Sequence, residues 1–173
     1  MVILHQGPIT SLRQYHSDEW SETARRLTCL LNLADPEQTE NGRFYEQGLI
    51  HNTARGEFVR SKSEVIIANQ LSHNNIPYVY EQNLTLNGET RWPDFTIEDK
   101  DSGNVFYWEH CGMMDDPSYK KRWETKLAWY IENGILPYKD GEGKNGTLII
   151  TEETKNSGID TQLVDKLIRE ILL

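Results

Sequence analysis

The spacing of hydrophobic and polar positions changes repeatedly along the chain, and each change marks an element. In residues 18–33, "DEWSETARRLTCLLNL", Trp20, Ala24, Leu27, Leu30 and Leu31 form a stripe at helical spacing and predict a first helix. Residues 34–48 are polar, hold Pro36 and Gly42, and read as a loop or a small subdomain boundary. "LIHNTARGEFV" (49–59) fits a short hairpin turning near Gly56. A second helix is predicted over 62–74, where Ser61 and Glu64 stand in capping-box spacing ahead of Val65, Ile66, Ile67, Ala68 and Leu71.

Shorter periods follow. "PYVYEQ" (77–82) and "LTL" (84–86) read as strands before a turn at Asn87-Gly88, and two longer arms, 92–98 and 104–110, flank a polar turn. Asp115-Asp116-Pro117 supplies an N-cap and a proline at the first helical position, so 117–132 is predicted helical, ending at Gly134. "GTLIIT" (146–151) is the unbroken apolar run of a strand buried on both faces, and 160–172 carries Leu163, Leu167, Ile168, Ile171 and Leu172 on one helical side. The order predicts an α/β fold: a mixed β-sheet with a central hairpin flanked by helices, plus an N-terminal helical extension. The expected division is an extension over 1–54 and a core domain over 55–173.

The central hairpin, "RWPDFTIEDKDSGNVFYWEHCGM" (91–113), has an acid in each apolar, aromatic arm. A turn centred between Asp101 and Ser102 sets Asp94 directly opposite Glu109, with Cβ atoms about 5 Å apart. Like charges so placed repel unless a cation lies between them, and a hard divalent ion held by carboxylate oxygens would supply it. Glu64 is the third acid: it completes the capping box, yet it heads the stripe of Ile67, Ala68 and Leu71 and so points toward the sheet. On 117–132, Tyr119, Trp123, Lys126, Leu127 and Tyr130 share a helical stripe in which Lys126 is the one charge. It is either a snorkelling lysine or a cation aimed at the acids. His110 alternates to the other sheet face and is read as a supporting residue whose backbone carbonyl contacts a metal. Glu81, near a strand end, is an optional fourth acid.

Net charge and composition change this picture little. A chain of 173 residues with net charge −9 does not suit non-specific coating of nucleic acid, which is built on phosphate neutralisation. The charge is uneven, however: 54–62 and 119–126 are basic, so a local groove remains open to a polyanion. Arg60, Lys62, Lys120, Lys121 and Arg122 are the expected nucleic-acid contacts. Cys29 and Cys111 have no metal-ligand spacing, no apolar run nears the ~20 residues of a spanning helix, and the N-terminus lacks a signal-like h-region. A cytoplasmic protein with no membrane association is expected.

Taken in order, "RSKSE" opening a helix, "WPDF" on a strand, "YWEHCGMMDDPSY" leading into a helix and "KLAWY" upon it resemble the PD-(D/E)XK phosphodiesterase superfamily over roughly 55–172. Glu109-His110-Cys111-Gly112 is similar to a branch of predicted nucleases with Glu-His-x-Gly at the second acid. The resemblance implies a restriction-endonuclease-like fold and a Mg²⁺- or Mn²⁺-dependent nuclease acting on DNA. It implies Asp94 and Glu109 as metal ligands with Glu64 assisting. The family's lysine, two residues past the last acid, falls here on Cys111. Lys126, with Lys62 second, is the expected replacement among the catalytic residues Glu64, Asp94, Glu109 and Lys126. The alternative is a catalytically impaired module of the same fold that binds nucleic acid or a protein; an acidic nucleic-acid mimic is a third and weaker reading. Residues 1–54 are read as a surface for docking a partner or a second copy of the chain.

Overall fold

The computed structural model describes residues 48–154 and 158–173, which belong to a compact unit running from Gln47 to Leu173. The expected helix over 18–33 and most of the 1–54 extension lie outside the described residues. Strands β1 (His51–Asn52) and β2 (Phe58–Val59) form the small antiparallel hairpin expected there, with Gly56 at φ 85° in its turn. Helix α1 (Lys62–His73) starts as the capping box requires: Ser61 is extended and its Oγ accepts the Glu64 N–H.

The five-stranded sheet contains β3 (Val79–Tyr80), β6 (Phe95–Glu98), β7 (Val105–Cys111), β9 (Thr147–Glu152) and β8 (Leu136–Pro137), in that spatial order. β6 pairs antiparallel with both β3 and β7, whereas β9 pairs in parallel with both β7 and β8. The molecule is therefore mixed α/β, as read from the pattern. Phe95 pairs with Trp108 and Thr96 with Tyr107, which is the register set by a turn centred between Asp101 and Ser102.

Two readings change. The first concerns the Asn87-Gly88 turn, which has φ 52° and 82° and joins β4 (Leu84–Leu86) to β5 (Glu89–Arg91) in a hairpin of its own. The expected long arm 92–98 thus enters the ladder only at Phe95. Pro93, just before the acid, has no N–H to give a ladder. The second is β8, a two-residue parallel edge strand too short to leave a periodic signal.

Helix α2 (Pro117–Glu132) begins at Asp116, whose carboxylate accepts the Ser118 and Tyr119 N–H groups, and α3 (Thr161–Ile171) is capped in the same way by Asp160. Alternation along β6 and β7 divides the core in two. One cluster packs Ile67, Ala68 and Leu71 of α1 and Val164 and Ile168 of α3 against Phe95, Ile97, Trp108 and Ile149. The other packs Trp123, Trp129 and Tyr130 of α2 against Tyr107, Cys111 and Leu148. Helices thus cover both faces of the sheet, and the acid-bearing face is the one beneath α2. Gly146, at φ 130°, leads into β9 where a Cβ would stand 2.6 Å from Tyr107 Cε2 and 2.8 Å from Val105 O, so β9 docks this closely only with glycine there.

Candidate active site at the end of the central hairpin

The pair next outward from Phe95 and Trp108 is Asp94 and Glu109, so the two acids meet where β6 stops and β7 continues. The end of β6 is built by the Asp94 residue itself. Its carbonyl accepts the Glu81 N–H at 3.1 Å, and its Oδ2 accepts the His110 N–H at 2.7 Å. The side chain thereby satisfies a backbone donor that the ended ladder leaves open. Glu81 sits at φ 47°, uncommon for a non-glycine residue, where β3 turns away.

Glu109 is 5% exposed, and a carboxylate that deep requires partners. Both come from α2. Tyr130 Oη donates to Glu109 Oε1 at 2.5 Å, and Lys126 Nζ lies 2.6 Å from the same oxygen. Lys126 Nζ also donates to the Trp92 carbonyl at 2.8 Å. Lys126 and Tyr130 are four residues apart and so project from one side of α2. Only Gly112–Asp115 separate β7 from the cap of α2, and this tight reversal lays the helix back over the strand it follows.

These contacts set the electrostatics. Desolvation, then the charges of Glu109 and Glu64, push the Asp94 carboxyl well above the usual carboxylate range; Lys126 and the His110 N–H oppose them. Burial alone would lower the Lys126 ammonium, but Glu109 and Asp94 outweigh it and hold the group above its ordinary value. Burial and then Glu109 push the Tyr130 hydroxyl far up, so Tyr130 acts as a donor. The Cys111 thiol, 1% exposed, is raised by burial and by the same acids and stays neutral at pH 7.

Glu64 stands close enough to raise Asp94, but its oxygens are engaged. Oε1 accepts Ser61 Oγ at 2.8 Å, and Oε2 accepts the Arg60 N–H at 2.9 Å and Tyr80 Oη at 2.6 Å. The capping role is therefore present, alongside a place in the field of the acid pair. His110 turns its ring to the opposite face, with Nδ1 3.0 Å from Thr151 Oγ1, and burial lowers its pKa to about 4. Thr151 also accepts Trp108 Nε1–H at 3.0 Å, tying β7 to β9 directly behind the acids.

The basic residues separate in space. The Arg60 guanidinium forks onto Glu81, with Nε–Oε1 2.5 Å and Nη2–Oε2 3.0 Å, which places the optional fourth acid in an ion pair. Lys62, Lys120, Lys121 and Arg122 are exposed, and Arg122 lies over the Tyr119 ring at 5.7 Å from its centroid. Three tyrosines belong to the site without having been singled out: Tyr80 on Glu64, Tyr130 on Glu109, and Tyr119, whose hydroxyl is pushed up to about 12 by burial and then by Cys111. The available signal for Tyr130 was its place four residues beyond Lys126 in an otherwise apolar stripe. Among the described residues no group of three or more His, Cys, Asp and Glu side chains is placed to hold a metal ion. A cleft of 190 Å³ lined by Gly103–Val105 and Glu142–Thr147 is at the opposite end of β7 and β9 and holds none of the predicted site residues. No described helix is long and apolar enough to cross a membrane.

Comparison with known proteins adds one relative. The chain is similar to an uncharacterized protein of Methanocaldococcus jannaschii, 34% identical over 124 residues. The match covers 66% of this chain and 10% of the relative, so the chain spans about a tenth of the protein it matches. No family model matches the sequence, and no solved structure matches it.

Proposed function

We propose that this domain is a metal-dependent nuclease that hydrolyses DNA phosphodiester bonds at the Asp94–Glu109 pair, with Mg²⁺ or Mn²⁺ as its cofactor. The observation that carries the reading is the 2.6 Å contact of Lys126 with Glu109, which brings a cation from a separate helix to the acid pair. An aspartate and a glutamate paired across a hairpin, with an ammonium at one of them, is the set of charges a phosphodiesterase uses. Setting aside the separate β4–β5 hairpin and the short edge strand β8, the succession of α1, the antiparallel strands β3, β6 and β7, α2 and the parallel strand β9 supports a restriction-endonuclease-like arrangement.

The residues fit a hard divalent cation. Asp94 is crowded by two other acids and raised accordingly, so a divalent charge there relieves repulsion that Lys126 only partly offsets. Mg²⁺ is ordinarily held by one or two carboxylates, with water and substrate phosphate completing its shell, so a pair of acids suffices. Asp94 and Glu109 would hold it, with the His110 backbone carbonyl a third oxygen donor. When bound, the ion supplies charge neutralisation at the phosphate and a more acidic water. Lys126 stands where a fixed cation would face the attacked phosphate or orient the attacking water, in place of the lysine that Cys111 displaces. Tyr130 fixes the Glu109 carboxylate, and Glu64 contributes negative field through its cap.

A second reading is a module of the same fold that binds nucleic acid or a protein without cutting. The buried, neutral thiol of Cys111 at the family's lysine position favours it. The first test is thermal. Binding only to the assembled site stabilises by RT ln(1 + [L]/Kd), about 2.7 kcal/mol at a hundredfold excess over Kd. Millimolar Mn²⁺ should therefore raise Tm relative to EDTA in the native protein and leave Asp94→Asn unmoved. Equal melts of the native protein in both buffers would sink the metal site.

A further inference from the structure

The basic run Lys120-Lys121-Arg122 behaves as a single patch in sequence, but the helix divides it. At roughly 100° per residue, Arg122 falls within about 60° of Tyr119 and close to the stripe of Trp123, Lys126 and Tyr130, whereas Lys120 and Lys121 point about 100° and 200° away from Tyr119. Tyr119 is the link between the run and the acids. It packs against the cluster that holds Cys111, Trp123 and Tyr130, the last of which donates to Glu109, while its ring carries the Arg122 guanidinium at 5.7 Å. Tyr119 thus joins Arg122 to the packing layer that includes Tyr130, a donor to Glu109.

We propose that Tyr119 and Arg122 form a phosphate clamp that seats a nucleic-acid backbone beside the acid pair, and that Lys120 and Lys121 take no part in it. The clamp rests on the nuclease reading above and assigns that site its first point of substrate contact. Stacking on an aromatic face orders the guanidinium before any ligand arrives and leaves its planar N–H fork open at the edge, the geometry that grips a phosphate with two hydrogen bonds. The carboxylate nearby, Asp116, accepts the Ser118 and Tyr119 N–H groups at Oδ1, and its charge also acts on Arg122. A flexible lysine pointing away from the ring has neither advantage. A cation at this point also offsets the negative field that three acids would present to an approaching strand.

The test is fluorescence anisotropy of a labelled duplex oligonucleotide, with Ca²⁺ replacing Mg²⁺ to hold off cleavage and with KCl varied. Arg122→Ala should weaken binding at least about tenfold and reduce the salt slope by about one, as loss of one phosphate contact requires. The double variant K120A/K121A should change affinity by less than about twofold. Tyr119→Leu should lose most of what Arg122→Ala loses, because it removes the ring. Equal effects of Arg122→Ala and K120A/K121A would overturn the clamp, as would an unchanged salt slope in Arg122→Ala. If the native protein binds and Arg122→Ala binds as well, the clamp alone fails; if the native protein binds no oligonucleotide, the nucleic-acid reading falls with it.

Discussion

Replacing Lys126 by methionine removes one charge and little else, so its cost can be worked out from the contacts. The ammonium touches Glu109 Oε1 at 2.6 Å and the Trp92 carbonyl at 2.8 Å, and the glutamate side chain is 7% exposed. Removing one partner of a fully buried pair costs about 3–5 kcal/mol, because the other charge stays behind. Here the lysine side chain is 26% exposed, and Glu109 keeps its Tyr130 donor, so solvent screening and the remaining bond lower the figure to about 2 kcal/mol. For a domain of this size that corresponds to a fall in Tm of roughly 6 °C. The measurement is urea denaturation in EDTA at pH 8. The double variant Lys126→Met with Glu109→Gln should recover much of the loss, since the orphaned charge is gone and the coupling is read from the cycle. Mn²⁺ should also stabilise Lys126→Met by more than it stabilises the native protein, because metal and lysine neutralise the same acids. A loss below about 0.5 kcal/mol with no coupling to Glu109 would refute the reasoning and make Lys126 a surface residue.

Tyr130→Phe deletes the other donor to Glu109 and should cost about 1.5–3 kcal/mol, the range for a hydrogen bond to a charged group; calorimetry should also show weaker Mn²⁺ binding, and unchanged metal affinity would reduce Tyr130 to packing. Asp94→Asn should raise the metal-free Tm at neutral pH. Its carboxyl is raised in the folded state above the ordinary 3.8, so the folded protein binds the extra proton, and stability falls as pH climbs from about 4 through the raised value. A Tm profile over pH in EDTA should show this decline in the native protein and lose it in Asp94→Asn; parallel profiles would contradict the assignment.

Much of the site's scaffold was legible because local rules fix it. The polar turn at Asp101-Ser102 and strict alternation set the register, and from it the facing of Asp94 and Glu109. Ser61 and Asp116 announced two helix starts through side chains that accept backbone N–H groups. Lys126 stood out as a charge inside an apolar stripe. What escaped depends on contacts between distant segments. Tyr130 in sequence is an ordinary core aromatic, and only the fold-back of α2 aims its hydroxyl at Glu109. Arg60 reads in sequence as a nucleic-acid contact, yet the turn of the chain at Glu81 draws it into a fork. The separate hairpin at Asn87-Gly88 was obscured because Glu89–Arg91 is polar and runs into the apolar arm that follows. The placement of Arg122 over the Tyr119 ring likewise depends on where the fold sets that ring.

The central claim is phosphodiester hydrolysis at the Asp94–Glu109 pair, and the direct measurement is cleavage of supercoiled plasmid and labelled oligonucleotides by the purified chain in Mg²⁺, in Mn²⁺ and in EDTA. The account predicts cutting with either metal, none in EDTA, none with Asp94→Ala or Glu109→Ala, and a loss of at least about a hundredfold with Lys126→Met, the scale on which one transition-state cation acts. Cleavage that persists in EDTA or in Asp94→Ala would contradict it. A native protein that binds Mn²⁺ and DNA yet leaves every substrate intact would contradict it too, and would establish the non-cutting module instead.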